Sequence, residues 1–256
     1  MYINHLIYTR FNVQYELTES KGIQPEWLDE RLNLFERYCL PSIQNQTCQN
    51  FVWILMGDVR TSEEFKKRIE NYKSIVPQIR TYWVEYQNDA YHSFYKQLGR
   101  EFAKEKDVLI STRLDNDDAL AFDYIERVQT IAKDGVTGIV SFPIGRQTFT
   151  KDNKSYKISY NQNHFTSRIE TSEYETIMVF DHTQIPLNSL HIINTAEPMW
   201  EEIVHGNNIA NSYQPKYHYL VNSLSDHIDL FFRWMIFQKN RLIRIWKNHF
   251  VVFDKR

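Results

Sequence analysis

Short apolar runs alternate with helical stripes through the first half of the chain. His5-Leu6-Ile7-Tyr8 reads as a strand that ends at the polar Thr9-Arg10-Phe11-Asn12. A helix is expected from Pro25, with Leu28, Leu32, Phe35 and Cys39 on one face and Pro41 as its stop. Phe51–Met56 is a second strand, leading to Gly57-Asp58. Thr61 and Glu64 have capping-box spacing for a helix that carries Phe65, Ile69 and Tyr72. Ile79–Val84 reads as a strand and His92–Lys104 as a helix. The apolar run Asp107–Ile110 follows, and then a helix over Ala121–Ala132 with Tyr124, Ile125, Val128 and Ile131 inward.

This alternation predicts an α/β fold with a mostly parallel sheet covered on both faces. Right-handed crossovers place the strand carboxyl ends along one rim, where open α/β sheets bind ligands. Thr9–Asn12, Asp58 and Asp115–Asp118 are expected to meet there. Past Gly138 the pattern turns strand-like over Ile139–Phe142 and Tyr156–Tyr160. Helical character is expected again at Pro198–Val204 and Asp226–Lys239.

Composition narrows the function classes. The 256 residues suffice for one sizeable core. A net charge of −2 speaks against a nucleic-acid binder. Two cysteines, Cys39 and Cys48, make no disulfide framework or zinc spacing, as expected of a cytoplasmic protein. Arg10 and Asn12 interrupt the first apolar run too early for a signal peptide, and no stretch reads as a bilayer span.

The most informative segment is Arg113-Leu114-Asp115-Asn116-Asp117-Asp118, three carboxylates in four residues after a buried-type strand. Such a cluster repels itself unless a cation sits among the oxygens. A hard divalent ion that also grips a substrate diphosphate fits that need.

Several passages then resemble a known family. Pro41–Phe51, with Ser42-Ile43 and Gln46-Thr47, is similar to the helix-to-strand passage of family 2 glycosyltransferases, and Asp115-Asn116-Asp117-Asp118 resembles their D-x-D-D motif. Thr9–Asn12, Phe35–Ser42 and Thr112–Ala119 resemble a bacterial rhamnosyltransferase family, as does Trp200 with His205-Gly206-Asn207-Asn208. The family's frequent D-D-G-S is here Gly57-Asp58-Val59-Arg60, and the Q-x-x-R-W of processive synthases is absent, so single-sugar transfer is implied.

The resemblance implies the type A glycosyltransferase fold, a Rossmann-like, mostly parallel central sheet flanked by helices with a C-terminal acceptor-side extension. It implies a catalytic domain over 1–211, with a nucleotide-sugar-binding half at 1–125 and an acceptor side at 126–211, followed by a helical extension over 212–256. A nucleotide-sugar donor, a cell-surface glycan or lipid-linked acceptor, and Mn²⁺ or Mg²⁺ are implied as well. By the family pattern, Asp117 contacts the metal, and Asp115 lies nearer the ribose or holds metal-bound water. His205 is a third metal or phosphate contact, more natural with Mn²⁺. Asp118 is expected as the N-cap of the 121–132 helix. Thr9, Arg10, Asn12 and Asp58 are expected at the nucleotide, with Arg113 on a phosphate or in a salt bridge. Asn207 and Asn208 face donor sugar or diphosphate, and Trp200 offers an acceptor platform or core packing. Glu197 is the first candidate for a general base, with Glu170 and Asp181 as alternatives.

The basic, apolar stretch 231–247 either contacts a membrane peripherally or packs on the domain or another subunit. Two other functions compete. One is a nucleotidyltransferase or phosphosugar enzyme with the same carboxylates, although Thr9–Tyr15 contains no Gly. The other is a catalytically idle sugar-binding protein.

Overall fold

The computed structural model describes residues 2–13, 21–85, 89–103, 107–179, 184–185, 187–205 and 213–250, the side chains of 89–92 and 244–250 excepted. The chain opens with β1 (Ile3–Arg10), α1 (Pro25–Leu34), α2 (Leu40–Gln44), β2 (Val52–Asp58), α3 (Glu63–Asn71), β3 (Ile79–Val84), α4 (Asp89–Phe102) and β4 (Val108–Arg113). It continues through β5 (Ala119–Leu120), α5 (Tyr124–Lys133), β6 (Gly138–Ser141), β7 (Ile144–Phe149), β8 (Lys154–Ser159) and β9 (Ser167–Glu170). It closes with β10 (Leu190–Ile192), β11 (Trp200–Val204), β12 (His218–Tyr219) and α6 (Leu224–Phe250).

Seven strands form the central sheet in the order β10-β6-β9-β4-β1-β2-β3. β1 runs parallel to β2 and β4, β2 to β3, and β6 to β10, while β9 is antiparallel to both its neighbours. Strand alternation feeds two cores. Ile7, Trp53 and Ile110 pack with Leu28, Leu32 and Phe35 on one face. Leu6, Tyr8, Ile54 and Leu109 pack with Tyr95 and Leu98 of α4 on the other. All six residues of β4 are buried, as an inner strand covered on both faces requires. Five strands form a second sheet, β12-β8-β7-β11-β5, into which the chain passes directly after β4.

Four local expectations are corrected. Pro41 does not end the first helix. A π-turn over Phe35–Cys39 carries α1 into α2, with the Leu40 N–H reaching the Phe35 carbonyl. Pro41 thus sits in a restarting first turn, where its missing N–H costs little. Thr61 is not a cap. Its hydroxyl accepts the Asn12 amide at 2.8 Å, and Ser62 precedes α3. Residues 200–204 form strand β11 rather than a helix, because Trp200, Glu202 and Ile203 are buried and the backbone pairs β7 and β5. The short β7 and β9 also lacked a clear sequence period. The stretch beyond 211 is not wholly helical, since β12 joins the second sheet before α6 begins. Among the described residues no helix is long and apolar enough to cross a membrane.

Gly145 is what lets the second sheet close on its largest side chain. A Cβ there would lie 2.3 Å from the Trp200 ring. Gly145→Ala should therefore cost about 1–3 kcal/mol through overpacking, read as a Tm several degrees lower by calorimetry. An unchanged Tm would show that Trp200 is not held as described.

Candidate active site

The acid loop lies between the two sheets. The Leu114 N–H donates to the Tyr8 carbonyl at the end of β1, and the Asp118 N–H to the Asp115 carbonyl, closing a tight turn. β5 then pairs antiparallel with β11. This path brings residues 115–118 against the carboxyl end of the parallel strands. The Asn116 amide donates to the Phe11 carbonyl at 2.5 Å, and Asn12 Oδ1 accepts the Asp58 N–H at 3.0 Å. The ends of β1, β2 and β4 are thereby stitched into one rim.

Each carboxylate has its own surroundings. Asp117 is 5% exposed, and its Oδ2 meets Arg31 Nη1 at 2.6 Å and His205 Nε2 at 2.9 Å. Asp118 is wholly buried, with Oδ1 accepting the Ile203 N–H at 2.8 Å and Oδ2 contacting His164 Nε2 at 2.9 Å. Asp115 is partly exposed. Arg31 also reaches Asn116 Oδ1 at 3.4 Å, and its guanidinium lies 5.1 Å from the Trp27 ring centre.

The electrostatics split the cluster. Burial alone would raise the Asp117 carboxyl, but the His205 hydrogen bond and the Arg31 charge outweigh it and hold it below the usual range. Burial pushes Asp118 well above that range, and the negative neighbours Asp117 and Asp115 add to the rise. A cation among these oxygens would reverse that last contribution.

The structure treats the expected site residues unequally. Asp58 is buried, and both its oxygens bind Arg60, with Nε at 2.9 Å and Nη2 at 2.7 Å. Thr9 is fully buried and accepts the Trp53 indole N–H at 2.9 Å, which makes it a strut rather than a nucleotide contact. Arg10 closes β1, half-buried at the rim. Arg113 is buried and donates to the Ile177 carbonyl at 3.3 Å. Trp200 is 1% exposed, stacks on Phe165 and donates to the Phe142 carbonyl, so it belongs to the core and offers no acceptor platform. Asp118 is not a helix cap, since α5 begins at Tyr124 and Asp123 precedes it. Glu170 stands opposite Leu109 at the entry end of β4, holding the Glu175 and Thr176 N–H groups, so it is remote from the acid loop. Glu197 is exposed ahead of β11, whose length of roughly 16 Å separates it from His205. Asp181, Asn207 and Asn208 lie outside the described residues.

Three participants escaped the sequence reading. Arg31 falls three residues after Leu28 on the inward stripe of α1, which is the signal that it is buried for a purpose. His164 sits in a loop between β8 and β9 with no periodic signal. Glu202 alternates with buried residues along β11, a pattern hidden when the segment is taken as a helix. Among the described residues, Asp115, Asp118 and His164 offer three ligand atoms within 4.8 Å of one another. Two carboxylates and an imidazole suit Mn²⁺ well and Mg²⁺ less so.

A model of the family described as "Putative rhamnosyl transferase" matches residues 6–217. The chain belongs to this family. Its fold is mixed α/β with a mostly parallel central sheet, as the alternation of strand and helix signals predicts. Among solved structures, S. aureus TarS is similar at 10% identity and a TM-score of 0.45, over 80% of this chain and 37% of TarS. TarS 1-349 in complex with UDP-GlcNAc is similar at 9% identity and a TM-score of 0.44, over 84% of this chain and 63% of that one. The chain thus spans less than two thirds of these structures. No curated protein matches it.

Behind the acid loop of this rhamnosyl transferase family member lies a buried polar layer. Glu202 accepts the Gln147 amide at 2.8 Å and the Tyr217 hydroxyl at 3.2 Å, and Tyr219 donates to Gln147 at 2.6 Å. Burial first, then Asp118, pushes the Glu202 carboxyl up to about 7, against the opposing pull of His164 and the two hydrogen bonds. A folded-state value above the unfolded one, about 4.3, means that its stabilising contribution is full below the unfolded value. That contribution is lost as pH rises through about 7. Glu202→Gln should therefore match or trail the native protein near about pH 4 and exceed its Tm by several degrees at about pH 8. Parallel pH–Tm curves for the two proteins would contradict the buried, raised carboxyl.

Proposed function

We propose that this protein moves a single sugar from a nucleoside-diphosphate sugar to a cell-surface glycan or lipid-linked acceptor, with a divalent cation at the acid loop. Family membership supports the transfer class. The observation that carries the chemistry is the carboxylate triplet, with Asp117 and Asp118 buried and Asp115 partly exposed, at the carboxyl rim of a parallel sheet and joined to imidazoles from the second half of the chain. Its family description makes a nucleoside-diphosphate rhamnose the first donor to test. A cytoplasmic location fits the two unpaired cysteines and a donor made inside the cell.

Asp115, Asp118 and His164 would hold the cation. The Asp117–His205 pair, expected as ligand from the sequence, stands beside them as a second ligand set that becomes available when Arg31 swings away. Bound there, Mn²⁺ or Mg²⁺ would neutralise charge developing on the departing diphosphate. The chain's own residues do the rest. Arg31 presents a fork of N–H donors suited to phosphate oxygens. Asn116 and Asn12 lock the rim so that Arg10, and Arg60 held by Asp58, would border the nucleotide. Asn207 and Asn208, next in sequence to His205, would face the donor sugar. With Glu197 far from His205 and Glu170 remote from the acid loop, Asp181 is the remaining candidate to accept the acceptor hydroxyl's proton in an inverting transfer.

The test is a nucleotide-sugar panel with Mn²⁺ and Mg²⁺, read both as thermal stabilisation by nucleoside diphosphate and as transfer or hydrolysis. Metal and nucleotide together should raise the native Tm. Asp115→Asn and His164→Ala should abolish that rise if they are ligands, whereas loss in His205→Ala alone assigns the cation to the Asp117 pair. Asp117→Asn should reduce turnover by about two orders of magnitude or more while circular dichroism stays native. Undiminished turnover in Asp117→Asn, or no nucleotide stabilisation with either metal, would sink the proposal and favour an idle sugar binder.

A further inference from the structure

The last helix has two faces, and only one is accounted for. Its inner face docks on the second sheet. Leu230 is buried, Phe237 lies against Tyr213, and the Arg233 guanidinium sits 3.9 Å over the Phe149 ring. Arg233 also pairs with Asp229 at 2.7 Å and Asp152 at 2.5 Å. These positions recur at i, i+3 and i+7, so at 100° per residue they fill one side of the helix. The opposite side carries Leu224, Ile228, Phe231, Phe232, Met235 and Leu242. All six are exposed, with Phe231 at 55%, Phe232 at 56% and Leu242 at 66%. From Leu224 to Leu242 the stripe runs roughly 27 Å along the helix, and an exposed apolar surface of that extent marks an interaction site.

Charge decides what the stripe meets. Between Asp229 and Asp254 the chain has no carboxylate, yet it carries Arg233, Lys239, Arg241, Arg244 and Lys247. The protein as a whole has a net charge of −2, so this is segregation of charge rather than general basicity. Lys239 and Arg241 are both exposed; at 100° per residue Lys239 falls within the stripe and Arg241 beside the exposed Trp234, with stems long enough to keep both charges at the surface. A second copy would bring little to answer them. Asp229 is already held by Tyr156, Lys154 and Arg233, which leaves only Asp226 on the helix. On the helix no carboxylate follows Asp229, so a second copy's α6 offers no acidic row to pair with these cations.

We infer that the outer face of α6 is a docking surface for an anionic lipid bilayer. Phe231, Phe232, Met235 and Leu242 enter the headgroup–acyl boundary, and Lys239 and Arg241 lie among the anionic headgroups. The helix lies in the plane of the surface, because it is too polar to span it. The acid loop and the helix both adjoin the second sheet, α6 through Phe149 and Tyr156, and the loop through β5 and β11. Binding in this plane would hold the site at a fixed height over the lipid. The inference stands on α6 alone and holds whatever reaction the acid loop performs.

The experiment is co-sedimentation of the full chain with vesicles of mixed phosphatidylglycerol and phosphatidylcholine, and with vesicles of phosphatidylcholine alone. Binding is expected to the anionic vesicles, to weaken with added salt, and to be about tenfold or more weaker on pure phosphatidylcholine. Lys239→Glu with Arg241→Glu should weaken anionic binding at least about tenfold, and Phe231→Ser with Phe232→Ser should abolish it. All four side chains are exposed, so an unchanged Tm is expected and serves as the folding control. Equal binding to both vesicle types, or none to either, would overturn the inference. So would a stable dimer by light scattering that Phe231→Ser with Phe232→Ser converts to monomer, since the stripe would then belong to a second copy.

Discussion

Burying carboxylates beside one another is expensive, and everything around residues 115–118 answers that cost. An ionised acid removed from water must find a partner or give up its charge. Asp117 finds Arg31 and His205, and Asp118 takes a backbone N–H and His164 yet still rests well above the usual carboxylate range. A loop with a purely structural task would be more stable with apolar residues in these positions. A cation is what such charge gathers, and this is the basis of the proposed metal site.

The partners come from separate parts of the chain, and this shapes the architecture. Arg31 arrives on α1, His164 on the loop before β9, and Ile203 and His205 at the end of β11. Each is fixed by packing that has nothing to do with charge: Leu28 and Leu32 seat α1, Phe165 stacks on Trp200, and Trp200 fills the space over Gly145. The apolar cores therefore set distances that the polar groups use. A loss of packing at Trp200 would reach the acid loop through β11 without touching an ionisable group.

The parallel half of the fold was legible because its signals are local and strong. Strand runs at 5–8, 51–56 and 79–84 and the inward stripe of α1 follow simple periods, and the acid motif announces itself. The second half was harder. β11 carries Glu201, Glu202 and a buried Trp in a short span, so its period of two was masked and a helix seemed natural. Pro41 promised a helix end that a π-turn removed. Trp200 and Thr9, attractive as binding groups by type, are spent on the core and on Trp53. Arg31 and His164 became visible only when the fold brought them within hydrogen-bond reach of residues far away in sequence.

The most direct test of a cation at the acid loop is anomalous scattering at the manganese edge, from crystals soaked with Mn²⁺ and a nucleoside diphosphate. The expected result is one strong peak within bonding distance of carboxylate oxygens from Asp115–Asp118 and of an imidazole of His164 or His205, with diphosphate oxygens completing its shell. A nucleotide bound with no peak there, or Arg31 still paired to Asp117 with the metal elsewhere, would contradict the account.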